Sequence, residues 1–443
     1  MESVLAAQSD SLLSNLDFKI SGSSSNYVIS REESTYFPSN GMVSPNTIKE
    51  IRFQLASSNS MLDLSSAWIQ MKVTNTDPTA GNLLRPVTCG CQNLFRRAIV
   101  KLSGVEVERI EDYSRCHSFL EKAALSPIKL EEISQLGWGR ASGSFENGTA
   151  VANTIAGNGG SMNVLFSPSA LGMISSNHKW IPGMALSSGG LILSLELDDA
   201  TNSFLTTANS STSYTITDIR LLMNTYILDG VLQEAMSSHL LSGKPLVLGP
   251  FKSLSSTTVG VGGSDRADIT IARSFTRACT LIATLTGPTD STRAQTKKIS
   301  NDFYIPTASA LADDGIQWRL TIGDKNWGAN PYDTMKQLWY RLISGLGTLY
   351  SAAHSSSIDQ LSFFNTNAAG NAEAANPSFA AIFDLEKVGG SIGSGHSTAS
   401  GSLAVVQFKG MGSSTADYPT RLHTIIQHDV LCEILDGSCN VLT

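Results

Sequence analysis

Residues 214–230, YTITDIRLLMNTYILDG, decide how the chain is read. Tyr214, Ile216 and Asp218 alternate with Thr215, Thr217 and Ile219, the period-2 pattern of a strand. The run closes on Ile227-Leu228-Asp229-Gly230, and the chain ends with the same signature, HTIIQHDVLCEILDG reaching Ile434-Leu435-Asp436-Gly437. The two endings lie 207 residues apart (434 − 227), a little under half of the 443 residues. A self-match at half the length points to two copies of one architecture. Other segments pair at similar offsets. LILSLELDD from Leu191 pairs with LAVVQFKGM from Leu403, and AWIQMKVTN from Ala67 pairs with CTLIATLTG from Cys279; both are 212 residues apart (403 − 191 and 279 − 67).

Around these anchors the chain reads as strands punctuated by turns. IKEIRFQLA (48–56), AWIQMKVTN and the hairpin RRAIVKL–VEVER (96–109) alternate. LILSLELDD alternates most strongly, with Leu191, Leu193, Leu195 and Leu197 facing one way. In the second half ADITIARSF, TLIATLTG, IQWRLTIG, FAAIFDLEKV, SLAVVQFKG and the final stretch repeat the programme. Helical spacing occurs once inside each half. Ile110, Tyr113, His117, Leu120 and Ala124 form one stripe; Met335, Leu338, Trp339, Leu342 and Leu346 form the other. Asn330-Pro331 reads as the N-cap and first residue of that second helix. A further helix, followed by Gly243 and Pro245, joins the halves. Residues 137–161, 365–378 and 389–402 are Gly-, Ser-, Asn- and Ala-rich loops.

The predicted fold class is all-β: two tandem eight-stranded jelly-roll sandwiches with short inserted helices. Eight strands with long crossings fit a double-sheet jelly roll. A doubly wound α/β fold needs alternating helices and strands, and immunoglobulin-like sandwiches need only about 100 residues each. The expected division is an N-terminal arm at 1–47, a first jelly roll at 48–230, a connector helix at 231–246 and a second jelly roll at 247–443. The arm is Ser- and Asn-rich with two separated apolar clusters, Leu12, Leu13, Leu16, Phe18 and Ile20, then Tyr27, Val28, Ile29, Tyr36 and Phe37. Those clusters are too sparse for a core of their own.

Composition narrows function. Charged residues are 16% of the chain against about 25% in ordinary soluble domains, which suits a surface covered by partners and, equally, a plain extracellular β protein. The net charge of −7 gives no basic footprint for nucleic acid. No apolar run reaches the ~18 residues of a membrane span. The opening MESVLAAQSDSLLSNLDF lacks a basic n-region and a continuous apolar core, so no signal peptide is expected there. The six cysteines are accordingly expected to be reduced.

The residues from which a catalytic, metal or cofactor site could be built do not form one. Cys89-Gly-Cys91 has no second Cys/His pair at zinc spacing. His423 and His428 lie five apart on a strand, hence on opposite faces. The pairs Glu131-Glu132, Asp198-Asp199 and Asp313-Asp314 sit at segment ends and read as turn carboxylates. VGVGG (259–263) opens no helix, so it is not a phosphate loop. Asn147 and Asn209 match the short glycosylation pattern without further support. No catalytic, cofactor or metal residue is assigned, no cofactor is expected, and the chain is read as a non-enzyme.

NLFRRAIVKLSGVEVERIEDYSRCHSFLEKA (93–123), LDGVLQEAMSSHLLSGKPL (228–246), SFTRACTLIATLTGPT (274–289) and WRLTIGDKNWGANPYDTMKQLWYRLISGLG (318–347) resemble the double jelly-roll major capsid proteins of icosahedral DNA viruses. They look closest to those of polinton-like and protist-associated viruses. The resemblance spans most of residues 48–443. It implies a structural major capsid protein whose homotrimers are pseudo-hexameric capsomers tiling a shell. Its implied partners are neighbouring capsomers, penton and minor capsid proteins, without sequence-specific nucleic-acid binding. Its implied location is the virion, after assembly in host cytoplasm or nucleus. The rival reading is a β-sandwich adhesin or carbohydrate-binding module, which would show an aromatic-lined groove in a monomer. A hydrolase on a β scaffold would need clustered acids or a nucleophile pair in a pocket.

Overall fold

A computed structural model describes residues 27–442 apart from 56–59, 87–89, 127–128, 130–135, 137–153, 178, 187–188, 205–208, 288–302, 307–314, 347–355, 365–377, 388–393, 399–401, 414, 416–417 and 436. The loops expected at 137–161, 365–378 and 389–402 therefore lie largely outside the described residues.

The first half contains β1 (Val28–Tyr36), β2 (Glu50–Leu55), β3 (Ser60–Asn75), β4 (Phe95–Leu102), β5 (Val105–Ile110), β6 (Ser161–Phe166), the two-residue β7 (Ile181–Pro182), β8 (Leu191–Leu197) and β9 (Tyr214–Leu228). Helix α1 (Tyr113–Ala124) lies between β5 and β6. Helix α2 (Gly230–Leu241) joins the halves. The second half contains β10 (Leu246–Gly260), β11 (Ala267–Ile271), β12 (Ala278–Thr286), β13 (Gln317–Ile322), β14 (Lys325–Tyr332), β15 (Ala381–Asp384), β16 (Ala404–Lys409), β17 (Arg421–Leu435) and β18 (Ser438–Leu442). Helix α3 (Met335–Gly345) lies between β14 and β15.

The first half is two sheets, β1-β9-β3-β6 and β2-β8-β4-β5, with β7 on the flank of β3. The second half is β10-β17-β12-β15 and β11-β16-β13-β14, with β18 added to β17. Setting β7 and β18 aside, each half has eight strands in the same order, 1-8-3-6 over 2-7-4-5. This is a jelly roll made twice. The pairs found by offset are true counterparts: β9 and β17 are eighth strands, β8 and β16 seventh, β3 and β12 third. Among the described residues, every strand ladder lies within one half.

Each core sits between its two sheets. Alternation explains which side chains enter it: Ile69, Met71 and Val73 from β3 and Leu193, Leu195 and Leu197 from β8 are buried. Each such side chain contributes roughly 1.5–3 kcal/mol on burial. Trp318, wholly buried on β13, packs against Phe408 at 5.2 Å and Phe379 at 5.6 Å.

Two expectations are corrected. The arm at 1–47 is not outside the core along its length. Val28–Tyr36 is the first strand of the first jelly roll, in antiparallel register with β9, and Val43 is fully buried beside Ile216. Its alternation is faint because β1 is an edge strand with much of its surface exposed. Asn330-Pro331 does not open the second helix; both residues belong to β14. The helix begins after Thr334, whose hydroxyl accepts the Gln337 amide at 3.2 Å.

Candidate functional site

The most heavily constructed polar region is the seam between the two jelly rolls. From the first half it takes α1, the end of β5 and a one-turn helix at Gly172–Ser175. From the second it takes β10, β12, β17 and the segment around Phe303. Helix α1 is buried on nearly every side, polar residues included: Tyr113, Ser114, Arg115, Cys116, His117, Ser118, Phe119, Lys122 and Ala123. Arg115, Phe119 and Lys122, spaced i, i+4, i+7, share one helix face. That face meets Phe303. The Arg115 guanidinium lies 4.9 Å and the Lys122 ammonium 5.0 Å from the Phe303 ring centre, and Phe119 packs edge-on at 5.6 Å. A cation over a desolvated aromatic face is attracted by about 2 kcal/mol.

Hydrogen bonds complete the contact. Arg115 donates to the Thr284 hydroxyl at 3.0 Å and the Leu285 carbonyl at 2.9 Å. Lys122 donates to Ser378 at 3.2 Å, and its own carbonyl accepts from the Ser356 and Ser357 hydroxyls and the Ser357 amide at 2.9 Å. A buried cation without partners is severely penalised; here each is met by oxygen atoms and a ring.

Glu108, within β5, is a second lock. Its carboxylate accepts the Gly172 and Met173 amides at 2.7 and 3.1 Å and the Ser253 hydroxyl, across the seam, at 2.8 Å. Burial nevertheless pushes its pKa up to about 6, the hydrogen bonds opposing that rise. Gly172 fits here because its α-carbon faces the backbone of β10: a Cβ would stand 1.8 Å from the Lys252 carbonyl.

His423 is a third. Thr258 gives its one hydroxyl hydrogen to the Asp112 carboxylate, so His423 Nδ1, 2.6 Å away, must donate to Thr258. Nε2 then accepts from the Thr286 hydroxyl at 2.7 Å. Burial, with Arg115 and Arg421 nearby, holds this imidazole neutral by lowering its pKa far below the ordinary value. His428 belongs elsewhere, packed on Phe275 at 4.7 Å, with its pKa lowered to about 4, mainly by burial. The two histidines thus make separate contacts.

The other sequence candidates are dispersed. Asp198 is buried and accepts the Asp199 amide and the Asn202 side chain, while exposed Asp199 pairs with Lys49 at 2.7 Å. Both stand just ahead of the one-turn helix at Ala200–Ser203. Val259 and Gly260 end β10, and Gly262 and Gly263 turn the chain with positive φ. Cys91, Cys116, Cys279, Cys432 and Cys439 are free thiols. Cys89, Glu131, Glu132, Asn147, Asp313 and Asp314 lie outside the described residues, and Asn209 is exposed in a turn. Among the described residues no three His, Cys, Asp or Glu side chains gather at metal-binding distance. Open clefts lie on equivalent outer faces of the two halves. One is lined by Glu50, Arg97, Ser194 and Glu196, the other by Asp268, Gln317, Arg319 and Gln407. In the first, Arg97 is already engaged by Glu111 and Glu196 at 2.7 and 2.8 Å.

Sequence reading assigned none of the seam residues. The available signal was Arg115-Phe119-Lys122 on one face of a short helix, a polar-and-aromatic stripe where a core-facing helix carries aliphatic residues.

No family model and no curated relative matches the chain. Its fold is that of solved double jelly-roll capsid proteins. Similarity to the PBCV-1 virus capsid has a TM-score of 0.59 at 10% identity, over 96% of this chain and 99% of that one. The Sputnik virophage structure gives 0.55 at 10% identity, over 96% and 91%. The mavirus major capsid protein gives 0.52 at 11% identity, over 96% and 92%.

Proposed function

We propose that this chain is a major capsid protein whose homotrimers are the pseudo-hexameric capsomers of an icosahedral shell. One observation carries the reading: two jelly rolls of identical strand order are fixed side by side by a desolvated seam. Three such chains present six similar wedges, and a closed ring hides edges and faces that would otherwise associate without limit. The similarity to solved capsid proteins over nearly the whole chain supports the same role. The chain is divided at the connector 231–246, most of which is α2 and the turn after it, and its chemistry is structural rather than catalytic. Neighbouring capsomers, penton and minor capsid proteins are its partners, and the virion, assembled in host cytoplasm or nucleus, is its location. The apolar residues Leu12, Leu13, Leu16, Phe18 and Ile20 are proposed to bind an adjacent capsomer.

The test is the purified chain studied by light scattering and electron microscopy. A particle of three times the 47.1 kDa chain mass with a hexagonal outline is the expected result. A single-chain mass at micromolar concentration overturns it.

A further inference from the structure

The outer face of the β11-β16-β13-β14 sheet carries charge that the rest of the chain leaves unanswered. On β13 the buried Trp318, Leu320 and Ile322 turn inward, so Gln317 and Arg319 turn outward. The ladders set Arg319 opposite Gln407 and Gln407 opposite Asp268, and in the next row Gln317 opposite Lys409. Arg266 stands one step before Ala267, whose partner is Phe408, which brings it beside Lys409. Like charges facing each other across a sheet are destabilising. Among the described residues Arg266, Arg319 and Lys409 enter no ion pair. Arg319 Nε is shielded from solvent yet donates to no described residue, and a buried donor left unsatisfied in a native structure calls for an explanation.

The first half treats the equivalent face differently. Arg97, on its fourth strand, faces Glu196 on the seventh and is neutralised by Glu196 and Glu111. On the fourth strand of the second half, Arg319 faces the uncharged Gln407. The cleft there measures about 710 Å³ and holds three cations and one carboxylate, Asp268, in a chain of net charge −7. Clefts of that size suit small-molecule ligands. The ladder beside it is broken: Trp318 pairs with Tyr332 but Leu320 with Trp327, so residues 328–331 bulge opposite Arg319. Pro331, in that bulge, also lines a second cleft of about 260 Å³ with Tyr332, Gln337 and Tyr340. Tyr340, on α3, is 49% exposed.

We infer that these joined clefts bind an acidic carbohydrate, with a uronate carboxylate held by Arg319, Arg266 and Lys409 and an adjoining sugar ring lying on Tyr340 and Pro331. The guanidinium fork matches a carboxylate with two parallel hydrogen bonds. Sugar hydroxyls both donate and accept, so Asp268 and the amides of Gln317 and Gln407 find partners beside the cations. The C–H face of a pyranose is apolar and packs on an exposed aromatic ring whose polar tip stays in water. A nucleic-acid strand suits the site less. It brings a phosphate at every nucleotide and needs a continuous basic groove, which Asp268 interrupts. The inference goes beyond the capsid reading and does not depend on trimer formation.

Calorimetric titration of the full chain with tetragalacturonate, at low salt so that charge is little screened, tests it. The wild type is expected to bind this probe and to ignore neutral maltotetraose. Arg319→Gln is expected to weaken binding about tenfold, the loss of one charge-assisted pair. Tyr340→Ala should weaken it to a smaller extent. Arg52→Gln removes an exposed cation from the counterpart sheet of the first half and should change nothing. Circular dichroism checks that each variant folds; Arg266→Gln with Lys409→Gln, both exposed, supplies the same loss should Arg319→Gln not fold. No binding by the wild type, or equal weakening by Arg319→Gln and Arg52→Gln, overturns the site. So does maltotetraose bound as tightly as the acidic probe. Tetra-aspartate or a thymidine tetranucleotide bound as tightly also overturns it, since charge alone would then be read. Light scattering on the same samples reports the trimer separately. A single-chain mass overturns the capsid reading and leaves this site standing, and lost binding does the reverse.

Discussion

Helices α1 and α3 occupy the same place in two jelly rolls of the same topology, yet their surroundings are opposite. Nine of the twelve residues of α1 are buried, against two of the eleven in α3. The buried helix is the more polar one, with Ser114, Arg115, His117, Ser118 and Lys122 all shielded from water. The exposed helix carries Met335, Trp339 and Tyr340. The comparison teaches that burial here is set by the neighbour. A jelly roll stands over α1, and hydroxyls, carbonyls and the Phe303 ring meet its polar groups. Helix α3 holds to its own sheet through Leu338 and Leu342, with Gly345 against Ile382 and Trp339 against Phe363 at 5.0 Å.

The largest expected difference is in packing. Phe119→Ala empties the contact with Phe303 inside the seam and is expected to cost about 3–5 kcal/mol. Tyr340→Ala on α3 is expected to stay within about 0.5 kcal/mol, as surface substitutions do. Denaturant midpoints of the two variants measure the contrast. Equal shifts would mean that α1 is no more tightly held than its counterpart.

Acid comes next. His428 has a folded pKa near 4 against an ordinary 6.5. The unfolded chain therefore binds a proton that the folded chain refuses, and stability is lost as pH falls from about 6.5 to about 4. The 2.5-unit difference corresponds to about 3 kcal/mol. His423, lowered in the same direction, adds to the loss. Replacing His428 by Phe should flatten the melting profile across that window; an unaltered slope would show that the imidazole is open to water.

Glu108 works in the other direction. Its folded pKa of about 6 stands above the ordinary 4.5, so its contribution is present in full below about 4.5 and is lost as pH rises through about 6. The difference corresponds to about 2 kcal/mol. Glu108→Gln removes this titration, while its amide nitrogen faces an N–H that formerly met oxygen. That orphaned donor costs about 1–3 kcal/mol. A wild-type-minus-variant stability curve should therefore fall between pH 4.5 and 6. A curve that rises instead would mean that the hydrogen bonds outweigh burial.

The sequence made the duplication legible because β3, β9 and β16 bury one face and keep the period of two, while β8, β12 and β17, buried on both faces, are apolar runs at matching offsets. It hid the first strand of each half. β1 is an exposed edge whose SREES run masks alternation, and β10 is interrupted by Gly249-Pro250. It hid β14 as well, because Asn330-Pro331 is good helix-start chemistry used here in a strand. The seam was least legible of all. Thr284 and Thr286 on β12 look like ordinary outward residues of an alternating strand. They are buried because a second jelly roll lies on that face, a long-range fact that no local period encodes.

The smallest effect concerns how each helix begins. Thr334 caps α3 locally, its hydroxyl accepting the Gln337 amide at 3.2 Å. Asp112, at the same position before α1, makes no such bond; its carboxylate reaches across the seam to Thr258, which in turn meets His423. The local cap is worth about 1 kcal/mol, and removing it should be felt only where α3 frays. Thr334→Ala is therefore expected to lower stability by that amount or less and to speed amide exchange only in the first turn of α3, at residues 335–338. Asp112→Ala should leave the first turn of α1 as protected as before, because Tyr113, Ser114 and Arg115 are held by burial. It should instead speed exchange on the facing strands, around 256–258 and 422–424. If Asp112→Ala frays α1 while those strands stay protected, the carboxylate acts as an ordinary cap, and the contrast between the two helix starts fails.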